Sequence, residues 1–244
     1  MSEFDLDVVL PAHNEGGSIG STIQEFYDVV HKRDGFKIRF VVCEDGSTDN
    51  TVEVLKKLQE TIPLHLISDP VRKGYSKAVI DGFRATTAPL VAFIDSDGQC
   101  DPADFKSVHA LIPDKDLVMG YRNPRVDPLI RKVMSGAFAM VYRTIFPVPF
   151  RDPSCPFLVI RQEKLQQILA GNVGILKQGF WWEFVARAMA LGLRVTETPV
   201  RHRPRTSGTT QVYKPTKVPR IAAEHLAGLL KLKKELDLVQ SGRS

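Results

Sequence analysis

The strongest constraint on this chain is a repeated local pattern: a short apolar run, a turn rich in Asp, Asn, Gly, Ser or Thr, then apolar residues at helical spacing. The runs are Val8–Leu10, Ile38–Cys43, Leu64–Ile67 and Leu90–Ile94. Such short segments, dense in β-branched and aromatic residues, do not make independent helices and read as strands buried on both faces. The helices that follow bury Ile19, Ile23, Phe26 and Val30, then Val52, Leu55 and Leu58, then Ala78, Val79, Phe83 and Ala85. Repeated strand-then-helix units predict an α/β fold with a parallel, doubly wound sheet. Right-handed crossovers set the strand-end turns along one edge, where open α/β sheets bind ligands.

Chemistry gathers at those turns. The fourth run ends in Asp95-Ser-Asp-Gly-Gln-Cys-Asp-Pro102, where two carboxylates one residue apart and Gln99 supply oxygen donors for a hard divalent cation; its natural partner is a diphosphate. Asp-x-Asp-Gly is equally an ordinary turn sequence. In Glu44-Asp-Gly-Ser-Thr-Asp49, the residues Ser47, Thr48 and Asp49 suit helix capping, while Asp45 is placed to accept hydrogen bonds from a nucleobase or ribose. Pro11-Ala-His-Asn-Glu-Gly-Gly-Ser18 reads as a loop closed by a helix cap. Arg72-Lys-Gly74 stands at a helix start and suits an anion, or is a solvated surface loop.

At 244 residues, 43% hydrophobic and 25% charged, the chain can bury a large core and reads as one domain with appendages. A net charge of +5 favours anionic partners. Nucleic acid is disfavoured, because Pro interrupts the basic residues and no stacking aromatic series accompanies them. Cys43, Cys100 and Cys155 lack metal-site spacing and imply a reducing compartment. The acidic N-terminus does not resemble a signal peptide, and no apolar stretch is long enough to span a bilayer. A cytoplasmic or peripheral protein is the expectation.

The second half carries a basic stretch, Arg201, His202, Arg203 and Arg205 with Lys214, Lys217 and Arg220, whose charges face solvent or a ligand. Guanidinium groups there would complete a clamp on a cation-bound diphosphate. Leu129 to Phe146 predicts an amphipathic helix with Ile130, Met134, Phe138, Val141 and Ile145 on one face; it reads as a core helix or as one lying in a bilayer interface. A last helix, Val218 to Val239, sets Leu226, Leu229, Leu230, Leu232 and Leu236 beside Lys231, Lys233 and Lys234, to dock on the domain or touch anionic lipid.

Taken in order, Val8-Val-Leu-Pro-Ala-His-Asn-Glu15, Glu44-Asp-Gly-Ser-Thr-Asp-Asn-Thr51, Arg72-Lys-Gly74 and Asp95-Ser-Asp-Gly-Gln-Cys-Asp-Pro102 resemble the signature of family 2 glycosyltransferases of the GT-A fold. Within that family the chain is most similar to the dolichol- or polyprenol-phosphate sugar (mannose or glucose) synthases. Gly120-Tyr-Arg122, Phe180-Trp-Trp-Glu183 and Glu197-Thr-Pro-Val200 resemble later motifs of the family. Asp152-Pro-Ser-Cys-Pro-Phe157 resembles its Asp-x-Thr-Ser-Gly-Phe with Cys155 and Pro156 in place of Ser and Gly, and Arg205-Thr-Ser-Gly-Thr-Thr210 its Arg-x-x-Gly-x-Ser.

The resemblance implies a GT-A (Rossmann-like), mixed but mainly parallel sheet with helices on both faces over residues 1–213, with 129–147 as an interfacial helix. It leaves 214–244 as a C-terminal amphipathic helix and tail. It assigns nucleotide binding to Pro11, Ala12, Asn14, Glu15, Asp45, Lys73, Gly74, Asp95 and Ser96, and Mg²⁺ or Mn²⁺ to Asp95, Asp97 and Gln99. The acceptor phosphate falls to Arg122, Arg131, Ser135, Arg205 and Thr210, and catalysis to Asp97 and Arg205. The implied reaction is inverting transfer from a nucleotide diphosphate sugar, of GDP-mannose or UDP-glucose type, to a polyprenyl or dolichyl phosphate. The implied setting is the cytoplasmic face of a membrane, with a separate membrane-anchoring partner. A phosphate acceptor is already largely ionised at pH 7 and requires no general base. Two alternatives stand: a hydroxyl acceptor, for which Asp152 is the best candidate base, and a non-catalytic nucleotide- or lipid-binding module.

Overall fold

The computed structural model describes residues 2–126, 129–146, 148–176, 179–205 and 218–242. Its centre is a seven-stranded sheet in the order β3-β2-β1-β4-β6-β5-β7. Strand β1 (Leu6–Ala12) pairs in parallel with β2 (Ile38–Asp45) and with β4 (Leu90–Phe93), and β2 pairs in parallel with β3 (Leu64–Asp69). Strand β6 (Leu158–Arg161) lies antiparallel between β4 and β5 (Leu117–Arg122), and β5 runs parallel to β7 (Val195–Val200). The mixed, mainly parallel sheet therefore exists as the resemblance implies. The antiparallel β6 is an addition to the purely parallel reading of the repeats. Winding reverses between β1 and β4, so their following turns diverge and open a crevice.

The helices are α1 (Ile19–Phe26), continued by a π-helical stretch over Tyr27–Arg33, then α2 (Thr51–Leu58), α3 (Tyr75–Arg84), α4 (Phe105–His109), α5 (Leu129–Ile145), α6 (Gln162–Leu169), α7 (Phe180–Ala190) and α8 (Val218–Ser241). Alternation along β1 divides the core between the two faces of the sheet. Leu6, Val8 and Leu10 pack with Ile19, Ile23 and Phe26 on one face, while Val9 meets Val79 and Phe83 on the other. Both layers are apolar, which is why these strands read as continuous hydrophobic runs.

Two helix faces differ from their sequence patterns. On α5 the buried stripe is Phe138, Tyr142 and Ile145; Val141 is 42% exposed and Met140 71%. Tyr142 belongs inside because its hydroxyl donates to the Trp182 carbonyl at 2.8 Å and its ring meets the Trp182 indole. On α8, Leu229, Leu232 and Leu236 enter the core at i, i+3 and i+7, while Leu226 and Leu230 stay exposed. Among the described residues, no helix is long and apolar enough to cross a membrane.

A buried ion network fastens α8 to the domain. Glu183 is fully buried on α7 and accepts from the backbone N–H groups of Gly174 and Leu176 and from Arg187 Nε. Arg187 then reaches Glu235 of α8 at 2.9 Å and donates to the Asn172 carbonyl. Glu183→Ala would strand a buried guanidinium and two amides, lowering stability in urea unfolding by about 3–5 kcal/mol. Glu235→Ala acts at the half-open end of the network and should cost about 1 kcal/mol or less.

Candidate active site

The turns after β1 and β2 are stitched into one wall. Asn14, at φ 55°, accepts the Thr48 N–H on its side-chain oxygen at 2.8 Å and donates its own N–H to Ser47 Oγ at 3.0 Å. Asn tolerates that left-handed backbone better than most residues. The Glu15 N–H donates to Thr51 Oγ1 and the Gly16 N–H to Asp49 Oδ2. Pro11 and Ala12 lie inside β1 and are buried beneath this wall. The Glu15 carboxylate accepts from Ser18 Oγ at 2.6 Å.

Asp45, buried at the end of β2, accepts the Lys73 N–H at 2.7 Å on one oxygen and the Gly74 N–H at 2.8 Å on the other. Its carboxylate thus anchors the start of α3. Gly46 lies so close to that segment that a Cβ would meet the Arg72 nitrogen at 2.7 Å. The Lys73 ammonium is held between Asp69 and Asp81, and these two carboxylates raise its pKa. Both Asp45 and Lys73 therefore shape this wall through protein contacts.

Asp95 and Asp97 follow β4 at the point where the winding reverses. With Gln99, Arg122, Arg201 and Arg205 they line a cleft floored by Cys100, Cys155 and Pro156. Burial, then the neighbouring Asp97 charge, raises the Asp95 pKa to about 7, against a hydrogen bond from Tyr75 and the pull of Arg122 and Arg205. Ser96 is buried, and its carbonyl accepts from Thr22 Oγ1 at 3.3 Å. Among the described residues no three His, Cys, Asp or Glu side chains converge as a metal cage. Two crowded carboxylates without a third suit a hard cation that takes its other oxygens from phosphates and water. Gln99 turns its amide nitrogen to the Arg203 carbonyl at 3.0 Å, and its own backbone N–H donates to Asp97 Oδ1 at 3.1 Å.

The basic stretch divides its work. Arg201 pairs with Asp101 and Asp104, and Arg203 with Asp101 and Glu25, which lays this segment along the Asp loop. Arg205 instead turns into the cleft, with Nη2 at 3.0 Å from Asp97 and Nη1 at 3.7 Å from Glu15. Its Nε is buried and meets no hydrogen-bond partner among the described residues. A buried donor of this kind is costly unless a ligand satisfies it.

Across the cleft, Arg122 holds Asp152 bidentately at 2.7 and 2.8 Å and donates to Ser154 Oγ. Burial works to raise the Asp152 pKa, but Arg122 and Ser154 hold it below the ordinary carboxylate range. Glu197 accepts the Arg151 and Asp152 N–H groups and so fixes this turn. Ser135, on α5, accepts from Arg125 at 3.2 Å. The Arg131 side chain and Thr210 lie outside the described residues, as do Lys214, Lys217 and the Arg220 side chain.

The structure thus brings together Asp95, Asp97, Arg122 and Arg205. Sequence reasoning missed Tyr75 and Trp181: the Trp181 indole donates to Tyr75 Oη, which donates to Asp95 Oδ1, each at 3.0 Å. The signals for this pair were the position of Tyr75 directly after Lys73-Gly74 and of Trp181 inside Phe180-Trp-Trp-Glu183.

Comparison with known proteins agrees with this geometry. The sequence profile of glycosyl transferase family 2 matches residues 7–169. An uncharacterized glycosyltransferase of Mycobacterium tuberculosis is 33% identical over 209 residues, covering 84% of this chain and 88% of that protein. The dolichol-phosphate mannosyltransferase of Pyrococcus furiosus is 26% identical over 203 residues, or 78% of this chain and 57% of that longer protein. Among solved structures, glucosyl-3-phosphoglycerate synthase from Mycobacterium tuberculosis with Mg²⁺ and uridine diphosphate superposes with TM-score 0.69 at 18% identity, covering 95% of this chain and 80% of that one. The same enzyme has also been solved with Mn²⁺, uridine diphosphate and glucosyl-3-phosphoglycerate. With the expected sheet, the paired carboxylates and these matches in agreement, the chain is a glycosyltransferase and belongs to glycosyl transferase family 2.

Proposed function

We propose that this enzyme moves a sugar, with inversion, from a nucleotide diphosphate sugar to a polyprenyl phosphate, using Mg²⁺ or Mn²⁺ at Asp95 and Asp97. The observation that carries the acceptor class is the electrostatic character of the cleft: Arg122 and Arg205 line it, and the carboxylates beside them are committed, Asp97 to Arg205 and Asp152 to Arg122. Asp152 is engaged by Arg122 and held to low pKa. His202 Nδ1 accepts the Val126 N–H at 3.3 Å. An ionised phosphate needs cations and no base, whereas a hydroxyl needs a base.

A bound cation would stabilise the charge that develops on the departing diphosphate. Asp95 and Asp97 would hold it, and the wall built by Asn14, Glu15 and Asp45 would seat the nucleoside. Arg205, with its unsatisfied Nε, would grip phosphate at the same edge, and Arg122, kept in place by Asp152, would orient the acceptor. A membrane-borne acceptor also suits the exposed Val133 and Met140 on α5 and the exposed Leu226 and Leu230 on α8, which is rich in lysine.

A second reading, transfer to a hydroxyl of a small phosphorylated acceptor, is favoured by the same two arginines. The test is turnover with a panel of nucleotide sugars, Mg²⁺ or Mn²⁺, and either short-chain polyprenyl phosphate or phosphoglyceric acid. Metal-dependent formation of a lipid-phosphate sugar, abolished in Asp97→Ala, is expected; transfer only to the soluble acceptor would overturn the lipid assignment.

Asp152→Asn separates the two chemistries further. A lost general base lowers turnover by about 10²–10⁴-fold, whereas the account expects a loss of less than about tenfold in steady-state rate.

Metal binding should also depend on pH. Asp95 is raised from 3.8 to about 7, so the folded chain binds more protons than the unfolded one between those values and loses stability as pH rises through them. Below about 7 a cation must displace that proton. Mn²⁺ affinity should therefore rise with pH up to about 7 and level off above it, and Mn²⁺ should raise the unfolding temperature more at pH 8 than at pH 5.5.

A further inference from the structure

We infer that Tyr75 is a positioning residue for the cation site, acting through Asp95; this rests on the reading that Asp95 holds the cation. The direction of the hydrogen-bond chain follows from donor chemistry. An indole Nε1–H can only donate, so the Tyr75 oxygen accepts from Trp181 at 3.0 Å. The single phenolic proton is then committed to Asp95 Oδ1, also at 3.0 Å. This contact fixes the rotation of the Asp95 carboxylate and leaves its remaining lone pairs for a cation.

Three elements converge to place that phenol. The Asp45 carboxylate at the end of β2 holds the Lys73 and Gly74 N–H groups, and Gly74, at φ 97°, launches α3 with Tyr75 as its first residue. Trp181 arrives from α7 and is itself packed against Phe93 of β4, with ring centroids 4.4 Å apart. Tyr75 as a residue is 41% exposed, so core packing does not require a phenol here. An outer partner of this kind orients a ligand and commonly changes metal affinity by about 10–100-fold.

The experiment is an EPR titration of Mn²⁺ into the full chain in the presence of UDP and, separately, GDP. Four proteins are compared: wild type, Tyr75→Phe, Trp181→Phe and Tyr142→Phe. Tyr142→Phe serves as a structural control, because it removes a hydrogen bond to the neighbouring Trp182 carbonyl without approaching Asp95. Tyr75→Phe should weaken Mn²⁺ by about 10–100-fold, Trp181→Phe should weaken it less, and Tyr142→Phe should bind as wild type does. Should Tyr75→Phe fail to fold, the contrast between Trp181→Phe and Tyr142→Phe decides. Wild-type affinity in both Tyr75→Phe and Trp181→Phe, or equal weakening in Tyr142→Phe, would overturn the inference. Failure of the wild type to bind Mn²⁺ with either nucleotide would overturn the cation site at Asp95 and the role of Tyr75 with it.

Discussion

Two neighbouring carboxylates after β4, Asp97 buried and Asp95 half-buried, set the terms for the rest of this structure. Asp95 and Asp97 repel one another in a desolvated turn, and the fold answers with cations and donors from distant parts of the chain. Arg205 comes from the segment after β7, Arg122 from the end of β5, and the Tyr75 hydroxyl from the start of α3. None of these makes a closed cage, so the pair keeps the capacity to share a cation with a diphosphate. A turn that served only to reverse the chain would have no reason to collect such neighbours.

The support extends outward in layers. Arg122 is held by Asp152, and the Asp152 backbone by Glu197 on the edge strand β7. The Arg205 segment is laid against the Asp loop by Gln99, and by Asp101, whose carboxylate takes both Arg201 and Arg203. Helix α7 carries Trp181 toward the site and Trp182 toward α5, while Arg187 on the same helix ties down α8. The helices with exposed apolar residues and the Asp95–Asp97 cleft therefore meet on one helix.

Much of this was legible in sequence because local rules and global fold agree. The first four strands announced themselves as apolar runs, and their turns as Asp, Asn and Gly clusters. Strand β6, directly after the Asp152–Phe157 motif, was not legible, since Leu158–Arg161 is short and its antiparallel pairing is a tertiary choice. The apolar residues of α5 and α8 divide between the core and the surface, with Val141, Leu226 and Leu230 outside, because leucine and valine spacing alone does not say which side meets the domain. Charge was the hardest to read. Lys73 and Arg201 look like ligand cations in a sequence, yet each is spent on carboxylates brought from elsewhere. Composition alone does not separate Arg205 from Arg203; the motif that begins at Arg205 does, and the fold turns Arg205 into the cleft and Arg203 onto Glu25.

The central claim is that the Asp95–Asp97 pair is a cation seat completed by a nucleotide diphosphate. Its most direct test is anomalous diffraction at the manganese edge from crystals of the protein grown with Mn²⁺ and a nucleoside diphosphate. The account predicts a single peak on the order of 2 Å from carboxylate oxygens of Asp95 or Asp97 and from diphosphate oxygens, with Arg205 on the diphosphate. A diphosphate seated in the cleft without a manganese peak, or a peak held by other residues, would contradict it.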